Sequence, residues 1–338
     1  MMLVLACILL VLLFILPFVP GTRELLKKHD AAPLYINMDY HKDPRYFALS
    51  FRRLFLYSLG AHVAMEGYRT IKLSKEEKVQ LVGNGRFAGG AVVENVLYVM
   101  QDLDSEADVT FNKEVYVRGG ARIGEDNRLQ ALACDEDVHL REGVKFFRWL
   151  DAGGSITAEG RCVLGVDATC GGMFSLAQQC SFTKLYGFPV TTAADPFLLK
   201  EDDEPDRDTV IFEEEPPERD RSTIHASSRV SRSIISIESL TIGEYSVIQG
   251  HVKTHGDLVI GAHVIITGNI FADGSIEIGP HSRALGTVFS QKHILLKQGV
   301  RVGTRSRIKS VIGKKSILFE DGVRVYGYVM TEGRGLVI

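Results

Sequence analysis

One dipeptide recurs at a fixed interval in the C-terminal third of this chain. Ile242-Gly243, Ile260-Gly261 and Ile278-Gly279 are 18 residues apart, and a Leu or Ile lies two positions before each Ile. A finer period of six runs from Ile242 to Ile308, and ten of its twelve positions are apolar. A strict repeat of this length predicts a solenoid of stacked parallel strands. The period of six predicts three sides per turn, each with one inward residue.

A looser form of the pattern occupies the middle of the chain. Strand-like runs begin near Val96, Val115, Val138 and Ile156. We therefore predict an all-β protein, a parallel β-helix with 18-residue turns, in two blocks at 84–173 and 223–338. An insertion at 174–222 separates the blocks.

The N-terminal segment, residues 1–20, is almost unbroken hydrocarbon. A helix of its apolar length spans about 28 Å, close to the thickness of a bilayer core. No basic residue precedes it and no small-residue cleavage site follows, so we predict a retained transmembrane helix instead of a signal peptide. Arg23, Lys27 and Lys28 follow the segment, and the positive-inside rule places them in the cytoplasm. We expect a single-pass protein of the inner (cytoplasmic) membrane with its bulk on the cytoplasmic side.

Residues 21–83 are predicted to form a membrane-proximal module, with a short helix at Arg23–His29. Apolar and basic residues alternate in blocks from Phe51 to Phe55. Two interpretations remain open for this stretch: it lies at a lipid surface, or it forms a small helix packed on the first turn of the solenoid.

Composition excludes several classes of function. The net charge of −3 provides no global basic field for nucleic acid. Motifs for P-loop nucleotide binding, serine hydrolysis and zincin chemistry are missing from the sequence, and we predict no catalytic, cofactor-binding or metal-binding residue. None of the five cysteines forms a CxxC pair, which favours packing residues in a reducing compartment. They are Cys7, Cys134, Cys162, Cys170 and Cys180.

Two segments are candidates for interaction. The acidic part of the insertion contains Glu213, Glu214 and Glu215, and it is predicted to be either a solvated linker or a partner-binding loop. The last four residues are apolar and are predicted to pair with another chain. They are Gly335, Leu336, Val337 and Ile338.

The run GNIFADG at 268–274, within ITGNIFADGSIEIGPHSRALGTVFSQKHILLKQGVRVG, resembles the repeats of the bactofilin family. This resemblance implies a right-handed three-sided β-helix without enzymatic activity. It also implies assembly into homo-oligomers or filaments without a cofactor, often at a membrane, where the protein positions cell-envelope machinery. The anchor, the membrane-proximal module and the insertion depart from the family pattern. These departures favour an anchored scaffold over a free polymer.

The same period also resembles the hexapeptide-repeat acyltransferases, whose β-helix is left-handed. Those enzymes use a His as general base in a cleft between subunits. The sequence does not decide the handedness, and no carboxylate is predicted to orient a His here. The candidate bases would be His251, His255, His263, His281 and His293.

Overall fold

The computed structural model describes residues 43–60, 69–72, 78–192, 218–219 and 222–338, together with Leu16, Phe18 and Val19. The chain divides into two compact units, Met1–Asp43 and Pro44–Ile338. Most of the predicted transmembrane anchor lies outside the described residues. Among the residues that are described, no helix is both long and apolar enough to cross a bilayer.

The second unit is a parallel β-solenoid of about 13 turns, which confirms the predicted repeat architecture. Its strands form three faces, here called A, B and C. In the first block, face A contains β2 (Lys78–Val82), β5 (Val96–Val99), β7 (Thr110–Val117), β9 (Arg128–Cys134), β11 (Lys145–Ala152), β14 (Asp167–Cys170) and β16 (Ser181–Thr191). Face B contains β3 (Gly85–Phe87), β6 (Leu103–Ser105), β8 (Ala121–Ile123), β10 (Val138–Leu140), β12 (Ile156–Ala158) and β15 (Phe174–Leu176). Face C contains β4 (Val92–Val93), β13 (Val163–Leu164) and the first halves of the long strands.

The second block repeats the three faces. Face A contains β17 (Glu218–Arg219), β20 (Ile234–Ser236), β23 (Val252–Thr254), β26 (Ile270–Ala272), β29 (Val288–Ser290) and β32 (Lys309–Gly313). Face B contains β19 (Arg229–Val230), β22 (Val247–Ile248), β25 (Ile265–Ile266), β28 (Arg283–Ala284) and β31 (Arg301–Val302). Face C contains β18 (Thr223–Ile224), β21 (Leu240–Ile242), β24 (Leu258–Ile260), β27 (Ile276–Ile278), β30 (His293–Leu296) and β33 (Ser316–Phe319). The last strand, β34 (Arg324–Val337), bends around all three faces.

The period of six is confirmed at eleven of its twelve positions, which are buried inside the coil from Ile242 to Val302. It is wrong at Ile308, which is 54% exposed. The reason is an insertion of five residues in this turn. On face C, Ile278 pairs with Leu296, 18 residues later, whereas Leu296 pairs with Phe319, 23 residues later. The extra residues form a loop at the corner between faces B and A.

The two blocks meet through their last turns. β16 ends the first block and pairs antiparallel with β34, which ends the second, so that Ser181 faces Leu336 and Leu185 faces Val329. At this junction the rings of Phe182 and Phe319 lie 5.6 Å apart. Buried residues of both blocks form one continuous apolar core. The blocks are therefore stacked tail to tail, and the first extends beyond its predicted boundary at 173 to Thr192.

The ends of the insertion lie far apart. Thr192 donates its backbone N–H to the carbonyl of Val323 at the junction, whereas β17 and β18 belong to the opposite end of the second block. The two ends of the insertion are separated by about six turns of the second block, and neighbouring turns are about 4.8 Å apart. The insertion therefore spans about 29 Å along the solenoid axis.

A helix, α1 (Tyr46–Leu59), covers face A of the first block. It ends at Gly60, whose φ of 51° breaks the helical backbone and whose N–H donates to the Leu56 carbonyl. A short strand, β1 (Arg69–Lys72), pairs antiparallel with the outer edge of β2. Of the two interpretations for Phe51–Phe55, packing on the solenoid is confirmed for Phe55, and α1 contacts several turns instead of only the first.

Candidate functional site

Aromatic side chains fix α1 on face A. Phe51 packs edge-on against Trp149 with ring centroids 5.1 Å apart. Phe55 contacts both Tyr98 and Tyr116, at 5.8 Å and 5.6 Å. These rings form an apolar cluster on the outside of the sheet, separate from the core of the coil. The helix is thus held by its own small core.

A buried ion cluster orients the same helix. The side chain of Asp151 is 1% exposed and accepts hydrogen bonds from Arg45 at 2.9 Å and from Arg52 at 2.5 Å. Arg52 also bonds Asp135 at 2.8 Å, and the Tyr116 hydroxyl donates to the same carboxylate. Burial, together with this carboxylate, raises the pKa of Tyr116 above its ordinary value. Moving the helix would break these pairs and leave the buried charge of Asp151 uncompensated, which is costly. The ion cluster therefore fixes the position of the helix on face A.

A second carboxyl is buried beside the junction. Burial raises the pKa of Asp167 from 3.8 to about 6, against the opposing charge of Lys184. Its Oδ1 has no hydrogen-bond partner among the described residues. Burial and the nearby Asp167 also raise the pKa of Tyr328 to about 12. The ionised form of this acid therefore destabilises the junction at neutral pH.

Outward side chains of face A in the second block form a ladder. Phe271 and Phe289 are stacked with centroids 5.0 Å apart, and Lys253 Nζ lies 5.6 Å from the Phe271 ring. Ile312 and Met330 continue the row toward the junction. Such in-register pairs stabilise neighbouring strands, so the ladder has a structural role in stacking the turns.

An open groove of about 660 Å³ runs along face B of the first block. Its floor carries Arg86, Asp104, Arg122 and His139 in register on four consecutive strands. Arg86, Asp104 and Arg122 alternate in charge on successive strands, and opposite charges directly across neighbouring strands favour their pairing. We therefore assign the row a structural role in stacking the turns. No Phe, Tyr or Trp of the described chain lines the groove.

The five candidate histidines lie on three different corners of the coil. His255 Nδ1 lies 2.6 Å from Asp273, so the expectation that no carboxylate would orient a His was wrong at this position. Both side chains are partly exposed. His263 and His281 stack on each other, with centroids 5.3 Å apart.

The other two histidines make polar contacts with neighbouring turns. His251 accepts a hydrogen bond from the backbone N–H of Asn269, and His293 bonds Ser316. None of the five lines the groove on face B of the first block. The structure therefore does not bring these side chains together into one site.

Four cysteines are free and buried inside the first block, as expected for packing residues; Cys7 lies outside the described residues. Burial raises the pKa of Cys134 and of Cys170 to about 12. A hydrogen bond to Cys180, together with burial, raises the pKa of Cys162 as well. The same hydrogen bond lowers the pKa of Cys180. Protonated, buried thiols are poor nucleophiles, so Cys134, Cys162 and Cys170 contribute packing.

The C-terminal residues are paired within the chain. Leu336 faces Ser181 and Gly335 faces Phe182, so the strand edge of β34 is paired within the chain. Val337 is buried, and Ile338 is 48% exposed. The expected pairing of these four residues with another chain stays a prediction. Glu213, Glu214 and Glu215 lie outside the described residues.

The described part of the chain contains no group of three or more His, Cys, Asp or Glu side chains that could hold a metal ion. Comparison with known proteins found no matching family model, no matching curated protein and no matching solved structure.

Proposed function

We propose that this chain is a non-enzymatic, membrane-anchored scaffold of the bactofilin type, with a right-handed solenoid, that self-associates and organises cell-envelope or polysaccharide machinery. The observation that carries the proposal is the tail-to-tail junction of β16 and β34. Within one chain, two solenoid blocks already bind each other end to end through antiparallel strands. An end-to-end contact of this kind, made between chains, is how solenoid subunits would assemble.

Attachment and location follow from the sequence. The apolar residues 1–20 support a single-pass anchor, and the basic residues after it support a cytoplasmic position for the bulk of the chain at the inner membrane. Four free, buried cysteines are consistent with a reducing compartment. Envelope-assembly proteins are the proposed partners, and nucleic acid is not.

The free end of the second block is the proposed assembly contact. No described strand pairs with the outer edge of β18. The backbone carbonyls of Ser222 and Ile224 accept hydrogen bonds from the next turn, at Thr241 and Gly243. Because successive residues of a strand point their backbone groups to opposite sides, the N–H of Thr223 points away from the solenoid. A second copy can therefore add here by strand pairing.

A proline at this position tests the contact. Thr223→Pro removes the outward N–H and leaves the bonds to the next turn intact, whereas Thr223→Val keeps the N–H and serves as the matched control. Light scattering after gel filtration, with electron microscopy, should show dimers or filaments for the wild type and Thr223→Val, and monomers for Thr223→Pro. Unchanged assembly of the proline variant, or a monomeric wild type, would contradict the proposal.

The acyltransferase alternative is supported less well. Its general base would lie in a cleft between subunits. Among the five candidate histidines, His255 comes nearest to that requirement through its contact with Asp273. The pair lies on an open corner, with side chains 48% and 39% exposed. A scaffold needs no catalytic cleft; it needs a long surface and ends that bind other chains, and the solenoid offers both.

A further inference from the structure

The groove on face B of the first block contains more polar groups than the stacking of its turns uses. Arg86, Asp104 and Arg122 are exposed, outward residues of three consecutive turns. No ion pair or hydrogen bond joins any of these side chains to another residue of the described chain. At the corner between faces B and C, by contrast, Arg161 pairs with Glu142 at 2.7 Å. The charged groups of the row therefore keep their hydrogen-bonding capacity for a ligand.

Two aspartates at the corner between faces A and B form one wall of the groove. Asp102 Oδ1 accepts a hydrogen bond from the backbone N–H of Gly120, in the next turn, at 2.8 Å. Asp137 Oδ1 accepts in the same way from the backbone N–H of Ser155, at 2.6 Å. The Oδ2 atom of each carboxylate accepts no hydrogen bond from the described residues. Because the first bond fixes each side chain, the wall adds two oriented acceptors to the polar row.

The groove is long, because it follows the axis of the solenoid. Its volume is about 660 Å³, and residues of five consecutive turns line it, from Asn84 to Thr157. The four spacings between these turns give a length of about 19 Å. The strands β6, β8 and β10 beneath it each pair with a neighbour on both sides. An extended peptide therefore finds no unpaired strand edge here to which it could add.

The chemistry of the lining disfavours two further kinds of ligand. Its four carboxylates outnumber the guanidinium groups of Arg86 and Arg122, so a nucleic acid or another polyanion is repelled. The aliphatic side chains of the lining are buried in the core, so an apolar molecule gains little by binding. A hydroxyl group donates one hydrogen bond and accepts others, and it therefore suits carboxylates and guanidinium groups alike. The lining is thus matched to an uncharged ligand rich in hydroxyl groups.

We infer that this groove binds a linear, uncharged saccharide chain that lies along the solenoid axis. Sugar hydroxyls donate to the carboxylates of Asp102 and Asp104, and they accept from the guanidinium groups of Arg86 and Arg122. Each turn adds about 4.8 Å, which is comparable with the length of one ring in an extended β-1,4-linked chain. Because no aromatic ring lines the groove, hydrogen bonds hold the ligand. The inference goes beyond the proposed scaffold and does not depend on it, since one block of one chain forms the whole groove.

The test is titration calorimetry on the full chain, kept in a detergent without a sugar headgroup. Cellohexaose and N-acetylated chitohexaose are extended and uncharged, and at least one of them should bind with a dissociation constant below about 1 mM. Maltohexaose is uncharged but coiled, whereas oligogalacturonate is extended but anionic. Both of these should bind at least about tenfold more weakly, because the first does not follow the groove and the second is repelled by its carboxylates.

Variants locate the contact. Arg122→Met keeps the aliphatic stem and should weaken binding about tenfold, because it removes charge-assisted hydrogen bonds. Gly120→Leu should abolish binding by filling the groove; a Cβ there would lie 3.5 Å from the Asp137 carbonyl, which is an ordinary contact. The matched control is Arg128→Met, which removes an exposed arginine six residues further along, on face C, and should bind like the wild type. Thermal melts of each variant confirm folding.

Three results would overturn the inference. The first is that neither cellohexaose nor chitohexaose binds the wild type. The second is that Arg122→Met and Gly120→Leu bind as the wild type does, or lose no more affinity than Arg128→Met. The third is that maltohexaose or oligogalacturonate binds as tightly as the extended neutral chains, which would rule out an extended or an uncharged ligand. Failure here is separate from failure of the scaffold proposal, because assembly is tested at Thr223, in the second block.

Discussion

Truncating Phe182 tests whether the two blocks share one core. Its side chain is 3% exposed, lies 5.6 Å from the Phe319 ring, and faces Gly335 across the antiparallel pair. A Cβ on Gly335 would lie 2.1 Å from the ring, so the ring rests directly on that glycine. Removing a buried phenylalanine ring costs about 3–5 kcal/mol, because transfer energy is lost and a cavity remains.

For a unit of this size, 1 kcal/mol corresponds to a change in melting temperature of about 2–4 °C. We therefore expect Phe182→Ala to lower the melting temperature by about 10 °C. Phe271→Ala, which shortens a half-buried outward ring of the face A ladder, is the control and should have a smaller effect. Calorimetry gives the stability change, and amide hydrogen exchange locates it.

The location of the change is the decisive observation. Gln179 and Val337 are joined across the junction by backbone hydrogen bonds, as are Cys180 and Val337. Faster exchange should therefore appear in β16 of the first block and in β34 of the second. Unchanged protection of β34 in Phe182→Ala, with a melting temperature equal to that of the control, would refute a shared core.

The remaining predictions concern the helix, the buried acid and the inward row. Phe51→Ala should shift the emission of Trp149, the single tryptophan, to longer wavelength, because the helix ring that covers it is lost; an unchanged spectrum would contradict the docking of α1. Because the pKa of Asp167 is raised from 3.8 to about 6, the folded state binds more protons than the unfolded state between these values, and stability falls as pH rises through that window. Asp167→Asn should remove this slope and stabilise the protein at neutral pH by up to about 3 kcal/mol in urea unfolding; equal slopes for both proteins would show the reasoning to be wrong. Ile266→Asp should abolish cooperative unfolding, because a carboxylate at a position 1% exposed has no partner inside the coil; a retained β-sheet signal and melting temperature would reject the inward assignment.

The sequence identifies the solenoid because its repeat is local. Each turn places its apolar residues inside and its polar residues outside, so the spacing of Ile242, Ile260 and Ile278 is sufficient to predict stacked turns. The period of six does not hold at Ile308, because the five-residue insertion moves this residue out of phase.

The role of α1 was only partly accessible from sequence. The apolar and basic residues at 51–55 are equally suited to a lipid surface or to a packed helix. Their partners, Asp135 and Asp151, lie more than 80 residues away in the chain, and nothing in the local pattern links them. The ion pairs exist only when the turns of the first block are stacked.

The sequence by itself determined the repeat, the three faces, eleven of the twelve inward positions from Ile242 to Ile308 and the burial of the four described cysteines, because each depends on spacing within one or two turns. Only the tertiary structure decided that the two blocks meet tail to tail and that the C-terminal strand is paired within the chain. That outcome depends on how the exposed edge of β16 fits the edge of β34. Because an unpaired strand edge offers the same backbone groups whatever its side chains, periodicity does not say which edges will meet.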